Sequence, residues 1–202
     1  MTWMEAIGWL GNACYFSRFL VQWLLSERAG RSVAPRAFWW LSVGGAILLG
    51  SYAVVLGDLP LSLGYGLTLI IYLRNVSIAY LGPKAGQLSQ RPALLLAGLS
   101  GLAFLALALK SLADGTADAL WSGIAFLGQS LFGSRFVVQW YASEQSGDAH
   151  FPASFWWLSL SGNLLLLAYV CERGDPIFIA GFLPGPLVQA RNLWLLRGSS
   201  GG

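Results

Sequence analysis

Charged residues are scarce in this chain of 202 residues. Asp, Glu, Lys and Arg together make up 10% of it, whereas a soluble domain carries roughly 25% charged residues. Apolar residues make up 56%, and the mean hydropathy is +0.61. This balance excludes an ordinary soluble domain and predicts a membrane protein.

Side chains that usually carry metal or catalytic chemistry are also few. Cys14 falls inside an apolar stretch, Cys171 falls near the end of another, and the single histidine, His150, lies in a predicted loop. They predict neither a disulfide nor a metal site. Phosphate loops, dinucleotide fingerprints and the paired carboxylates of a glycosyltransferase are absent from the sequence, so no cofactor and no catalytic residue are expected. Without basic clusters, no nucleic-acid partner is expected either.

The chain contains a long internal repeat. Residues 7–75 recur at 124–192 with a constant offset of 117, and 27 of the 69 aligned positions are identical. A repeat of this length, present twice, indicates two copies of a bundle half rather than a repetitive array. In membrane proteins, paired repeats usually place a binding site at the interface between the halves.

Seven apolar stretches are long enough to cross a bilayer, for which about 20 residues suffice. They cover approximately residues 4–25, 38–56, 61–80, 92–111, 119–142, 154–171 and 177–196. The last contains the segment 181–186, whose prolines and glycines must break or kink a helix. The predicted fold is all-α, with seven transmembrane helices.

The odd linker span determines how the two repeats are related. A single extra crossing makes two three-helix units parallel, in a three-plus-one-plus-three arrangement. Lysine and arginine are concentrated on one set of loops, which predicts an outside N-terminus and a cytoplasmic C-terminus. The predicted organisation is a first repeat, a loop and linker helix, a second repeat and a flexible tail, at residues 1–82, 83–117, 118–197 and 198–202.

Four arginines lie within or at the ends of the predicted spans. Arg18 falls well inside the first span, on one helical stripe with Gln22, and Arg135 repeats the pattern with Gln139. An arginine at that depth is costly unless it pairs, snorkels or faces a watery cavity. Because the planar guanidinium fork suits phosphate, the stripe predicts an anion site. The predicted phosphate-binding residues are Arg18, Gln22, Arg74, Asn75, Arg135, Gln139, Arg191 and Asn192.

A structural interpretation of the same arginines stays open. Arg18 and Arg135 would then bind backbone carbonyls or the loop glutamates Glu27 and Glu144, and Arg74 and Arg191 would snorkel to lipid head groups.

Polar and aromatic residues around these stripes complete the predicted site. The Phe-Trp-Trp runs that begin the second and sixth spans are typical of an interfacial belt, and they also suit a wall for a sugar or isoprenoid chain. Asp58 and Asp175 follow glycine in short outer turns, where they serve as turn residues or as an outer gate. The predicted cavity wall contains Trp23, Trp39, Ser42, Trp140, Trp156, Ser159 and Asn163.

The repeated pattern resembles a known family. The pattern is similar to the lipid A biosynthesis N-terminal domain family and consists of Arg18-Phe-x-x-Gln-Trp-x-x-Ser-Glu, then Pro35-x-x-Phe-Trp-Trp-x-Ser, then Tyr52, Asp58 and Arg74-Asn75. That family occurs fused ahead of lipid-A-disaccharide synthase in some bacteria. It is also similar to the PQ-loop and SWEET group of three-helix transporters. The resemblance implies a multi-pass protein of the bacterial inner membrane.

Three functions follow from the residues and the resemblance together. The first is a transporter or flippase for a phosphate-bearing lipid carrier, such as a polyprenyl-phosphate sugar used on lipid A or another surface glycan. The second is a non-catalytic, lipid-binding partner of a membrane glycosyltransferase of lipid A synthesis. The third is a SWEET-like transporter of free sugar, which a site rich in Asn and Trp without arginine would favour. The expected ligand is a phospholipid or a polyprenyl-phosphate-linked sugar.

Overall fold

The computed structural model describes residues 2–29, 35–81, 83–146 and 152–199, which form helices joined by short turns. No strand occurs in these four ranges, as an all-α membrane protein requires. The helices are α1 (Trp3–Ala29), α2 (Arg36–Val55), α3 (Leu59–Leu81), α4 (Pro83–Asp114), α5 (Ala117–Ser146), α6 (Ala153–Arg173), α7 (Pro176–Phe182) and α8 (Pro184–Ser199).

Four of these helices are long and apolar enough to cross a membrane, namely α2, α3, α6 and the part of α4 from Leu94 to Asp114. Helices α1 and α5 have sufficient length, at 27 and 30 residues, but they carry Arg18 and Arg135 among other polar residues. Many large apolar side chains are exposed, with Trp3, Leu81 and Leu187 each more than 70% accessible. Such a surface suits lipid rather than water as the surrounding solvent.

The chain divides into two compact units, Met1–Ala93 and Leu94–Gly202. In the first unit, α2 packs between α1 and α3. Glycines let α1 and α2 approach closely, because a Cβ at Gly45 would lie 2.7 Å from the Tyr15 ring and one at Gly11 would lie 2.7 Å from Leu49. Leu49 is fully buried at this crossing.

The second unit repeats this packing, with α6 between α5 and α8. Gly128 and Gly162 occupy the positions of Gly11 and Gly45, and a Cβ at Gly162 would lie 2.8 Å from the Gly128 carbonyl oxygen. Backbone therefore meets backbone where α5 and α6 cross, which is typical of small residues at membrane helix interfaces.

The linker helix α4 packs one face on α5. The Ser130 hydroxyl donates to the Gly101 carbonyl at 2.9 Å, and the Phe104 and Phe126 rings stack with centroids 6.2 Å apart. Leu95, Leu99, Leu102 and Leu109 are exposed on the same helix, each more than 60% accessible. The predicted apolar connector thus has one face that packs within the second unit and one apolar face left outside it.

The turns after α2 and α6 are built alike. Gly57 and Gly174 adopt φ of 71° and 67°, the left-handed region in which glycine meets no Cβ clash. Asp58 accepts from the Leu61 backbone N–H at 2.9 Å, and Asp175 accepts from the N–H groups of Ile177 and Phe178 at 2.9 and 3.1 Å. Each aspartate caps the N-terminus of the helix that follows it.

The last predicted span is interrupted at Leu183, between α7 and α8, so the predicted break is confirmed. Pro184 and Pro186 have no backbone N–H, so the carbonyls of Ala180 and Phe182 lose their usual donor four residues ahead. The equivalent helix of the first unit, α3, is continuous from Leu59 to Leu81.

Candidate functional site

Arg18 lies inside the first unit, where α1, α2 and α3 each supply a contact. Its Nη1 donates to the Ser42 hydroxyl on α2 at 3.2 Å and to the Tyr72 hydroxyl on α3 at 2.8 Å. Its guanidinium carbon lies 4.3 Å from the centre of the Tyr15 ring and 5.6 Å from that of Phe38. The guanidinium is half-buried and is held by hydroxyls and aromatic faces.

Arg135 occupies the equivalent place in the second unit, where it contacts three phenylalanine rings. Its guanidinium carbon lies 3.4 Å from the centre of the Phe132 ring, 4.7 Å from Phe136 and 5.7 Å from Phe155. Arg135 is half-buried as well. When the flat face of a guanidinium stacks on rings, its N–H groups lie in its own plane, where a planar or tetrahedral anion accepts them.

Ser42 and Ser159 share one local geometry. Each hydroxyl donates to the carbonyl four residues earlier, Phe38 or Phe155, at 2.7 Å. Both serines are buried, so this bond satisfies their hydroxyls inside the helix packing. Ser42 also accepts from Arg18 of its own unit.

The two units differ at one position on the third helix and one on the second. Tyr72, which binds Arg18, is replaced in the repeat by Gln189, and Ala46 is replaced by Asn163. Asn163 donates from Nδ2 to Oε1 of Gln189 at 3.4 Å, and both amides are buried. The second unit therefore contains an amide pair between α6 and α8 that the first unit lacks.

The second pair of predicted arginines lies on α3 and α8, with Arg191 at the middle of α8. Arg74 is half-buried on α3, and Arg191 is exposed on α8. Asn75 is half-buried, and the Asn192 amide donates to its own helix, at the Val188 carbonyl, 2.8 Å away. A role for these residues with phosphate stays a prediction.

The predicted aromatic wall is partly described. Trp39 and Trp156 are half-buried, and each stands edge-on to the preceding phenylalanine, with ring centroids 4.9 and 5.1 Å apart. The side chains of four further predicted residues lie outside the described part of the chain, namely Gln22, Trp23, Gln139 and Trp140. The loop glutamates Glu27 and Glu144, offered above as partners of the arginines, lie outside it as well.

The sequence prediction missed two residues that bind predicted site residues, namely Tyr72, the partner of Arg18, and Gln189, the partner of Asn163. Tyr72 was not among the predicted site residues, although it lies seven residues after Tyr65 and hence on the same face of α3. Gln189 was missed as well, and the offset of 117 from Tyr72 is the signal that locates it.

These observations define a class of protein, a helical membrane protein whose two homologous halves each hold an arginine among aromatic rings. The family model described as "Lipid A Biosynthesis N-terminal domain" matches residues 7–77 and 124–194, which together cover more than half of the chain. The chain therefore belongs to the lipid A biosynthesis N-terminal domain family and carries two copies of its module. The resemblance inferred from the sequence is confirmed for this family.

Several curated relatives match nearly the whole length of this chain in sequence. The chain is 34% identical over 201 residues to a lipid-A-disaccharide synthase of Chlamydia pneumoniae, covering 94% of this chain and 33% of that protein. It is 29% identical over 206 residues to the synthase of Chlamydia trachomatis serovar D, covering 95% and 34%. The chain thus spans about a third of the length of these relatives. No solved structure matches it.

Proposed function

We propose that this protein is a multi-pass transporter of the bacterial inner membrane that carries a phosphate-bearing lipid in lipid A or surface-glycan modification. The substrate is a polyprenyl-phosphate sugar. The observation that carries the proposal is the duplicated arginine, Arg18 and Arg135, half-buried in the middle of a helix and stacked on aromatic rings.

The chemistry of these arginines favours an anionic ligand over a neutral one. A cation on aromatic faces is stabilised by about 0.5–2 kcal/mol, and a phosphate adds charge-assisted hydrogen bonds at the edge of the guanidinium. An intramembrane arginine is a functional candidate by default, because its cost must be offset by a partner. Arg74 on α3 and Arg191 on α8 would each add a second cationic side chain to their own unit.

The family relationship supports the lipid A context. The relatives whose alignments cover 94–95% of this chain bear the name of a lipid A enzyme. That name describes longer proteins. In this chain the same module would handle the lipid, and the apolar exterior would let an isoprenoid tail remain in the bilayer.

The first test replaces Arg18 and Arg135 by glutamine, singly and together. Loss of one charged hydrogen-bond partner costs about 1.5–3 kcal/mol, so each variant should bind a polyprenyl phosphate roughly ten- to a hundredfold more weakly. Binding is measured in lipid nanodiscs, and thermal unfolding is measured on the same samples.

Arg173→Gln is the matched control for this test. Arg173 also stacks on a ring, with its guanidinium carbon 5.3 Å from the centre of Tyr169, but it lies at the last turn of α6. Its replacement should leave lipid affinity unchanged. If the folded Arg18→Gln, Arg135→Gln double variant bound the lipid like the wild type, both arginines would be structural and the proposal would fail.

A second candidate function is a lipid-binding partner of a glycosyltransferase. It is favoured by the length of the relatives, in which the matched segment is about a third of a longer synthase. Reconstitution into vesicles separates the two functions. A transporter moves a labelled polyprenyl-phosphate sugar between leaflets by itself, whereas an accessory subunit binds it without moving it. Transport of free sugar alone would restore the SWEET-like alternative.

A further inference from the structure

The second unit contains a buried polar cluster that the phosphate proposal does not use. Asn163 on α6 is 3% exposed, and Gln189 on α8 is 7% exposed. Asn163 donates to Gln189, and its own carbonyl oxygen, Oδ1, is buried and has no hydrogen-bond partner among the described residues. A buried amide oxygen in this state is costly, so it requires an explanation.

The interrupted helix packs directly on this amide. A Cβ at Gly185 would overlap the Asn163 side chain, so only glycine lets the segment between Pro184 and Pro186 come this close. The same segment leaves the carbonyls of Ala180 and Phe182 without their helical donors. Hydrogen-bond acceptors therefore accumulate in this part of the unit, and none of those named carries a charge.

The first unit shows that this arrangement is specific to the second. At the positions of Asn163, Gly185 and Gln189 it has Ala46, Thr68 and Tyr72. Thr68 there donates to its own helix, at the Gly64 carbonyl, 2.8 Å away, and Tyr72 binds Arg18. In the first unit the small residue, Ala46, is on the second helix and the larger one, Thr68, is on the third. In the second unit the larger residue is Asn163 on the second helix and the small one is Gly185 on the third. The combined side-chain volume is therefore similar, but only the second unit has an amide at this place.

We infer that Asn163, Gln189 and the broken segment 183–186 form a subsite for the uncharged, hydroxyl-bearing head group of the substrate. A sugar hydroxyl can donate to Asn163 Oδ1, which is an acceptor. An ionised phosphate has only acceptor oxygens and would be repelled by it. Within the second unit, the phosphate of a glycosylated lipid would bind Arg135 and its sugar would bind the amide pair. The inference rests on the proposed function for its substrate.

The test uses the full chain in nanodiscs and three probes: a polyprenyl phosphate, the same lipid bearing one hexose, and free hexose. The variant Asn163→Ala, Gly185→Thr copies the first unit at both positions. Gln189→Tyr is a second, independent copy. Each should weaken binding of the hexose-bearing lipid by roughly three- to tenfold, as expected for one neutral hydrogen bond, and leave the bare lipid unchanged.

Two controls define the specificity of this effect. Gln129→Ala removes another buried amide of the same unit, on α5, and should not change the ratio of the two lipid affinities. The Arg18→Gln, Arg135→Gln double variant should lower the affinity for both lipids by the same factor. The inference is overturned if the wild type binds both lipids with equal affinity. It is also overturned if the amide variants lower the affinity for both lipids by the same factor, or lower neither affinity.

Failure of the proposed function gives a different pattern. If the wild type binds neither lipid, the proposal of a polyprenyl-phosphate substrate is wrong. Binding of free hexose then tests the sugar subsite by itself. Hexose binding that falls in the Asn163→Ala, Gly185→Thr variant would support the subsite without the lipid. Absence of hexose binding in the wild type would overturn the subsite as well.

Discussion

At the scale of single residues, the same side chain type has different roles according to its neighbours. Asp58 and Asp175 follow a glycine with positive φ, and their carboxylates accept from backbone N–H groups of the next helix. This is the chemistry of an N-cap, and it accounts for an aspartate at both positions. Their alternative role as an outer gate stays a prediction. A substitution that removes the charge but retains the cap tests it.

Replacing Asp175 should therefore separate the two roles. Asp175→Ala removes the acceptor for two N–H groups and should lower the free energy of unfolding by about 0.5–2 kcal/mol, whereas Asp175→Asn should retain most of it. Thermal unfolding in detergent measures this, with Asp114→Ala, at an exposed position, as control. If Asp175→Asn abolished transport while unfolding like the wild type, the charge would have a gating role.

At the scale of helices, glycine determines how closely neighbours approach. Gly162 on α6 faces the backbone of α5, at the Gly128 carbonyl and the Phe132 N–H. Backbone atoms cannot rotate away as a flexible side chain does. A methyl group at Gly162 must therefore separate the two helices, and it would also disturb the Phe132 ring that contacts Arg135.

Gly162→Ala should accordingly destabilise the protein by about 1–3 kcal/mol, as overpacking does. Gly66→Ala is the matched control, because a Cβ at Gly66 on α3 meets nothing within 4 Å. That variant should be neutral or up to about 1 kcal/mol more stable, since alanine favours the helix. Both are compared by thermal unfolding in one detergent. Equal stability of the two variants would contradict the close backbone contact at Gly162.

At the scale of the whole molecule, the predicted topology is set by charge and by the odd linker helix. Among the described residues, three turns contain a glycine with positive φ, at Gly57, Gly115 and Gly174, and the predicted three-plus-one-plus-three arrangement would put all three outside. Cys171, exposed near the end of α6, would lie on that side in this predicted topology and can serve as a native probe. The arrangement of the two repeats about an axis stays a prediction.

A membrane-impermeant maleimide applied to intact cells should therefore label Cys171, and Cys171→Ala should abolish the label. A cysteine introduced at Arg91, exposed on the predicted cytoplasmic side of α4, should react only after the cells are opened. Labelling of the Arg91→Cys site in intact cells, with Cys171 replaced, would contradict the outside N-terminus and the cytoplasmic C-terminus.

The sequence by itself determined the helices, the repeat and the family. Apolar runs of about 20 residues require helices because a bilayer offers the backbone no hydrogen-bond partners. Pro184 and Pro186 required an interruption, because proline removes N–H donors wherever it occurs. Helical spacing also put Arg18 on an inward stripe, since that face depends only on neighbours three and four residues away.

The tertiary structure alone decided which side chains meet. Periodicity places a residue on a face, but the rotation and separation of two packed helices decide whether Tyr72 reaches Arg18 across 54 residues. The amide pair of Asn163 and Gln189 depends further on Gly185, since the space for Asn163 exists only where the broken helix has no Cβ. The two repeats, identical at 27 of 69 positions, thus place different side chains at equivalent sites, since Tyr72 of the first corresponds to Gln189 of the second and Ala46 corresponds to Asn163.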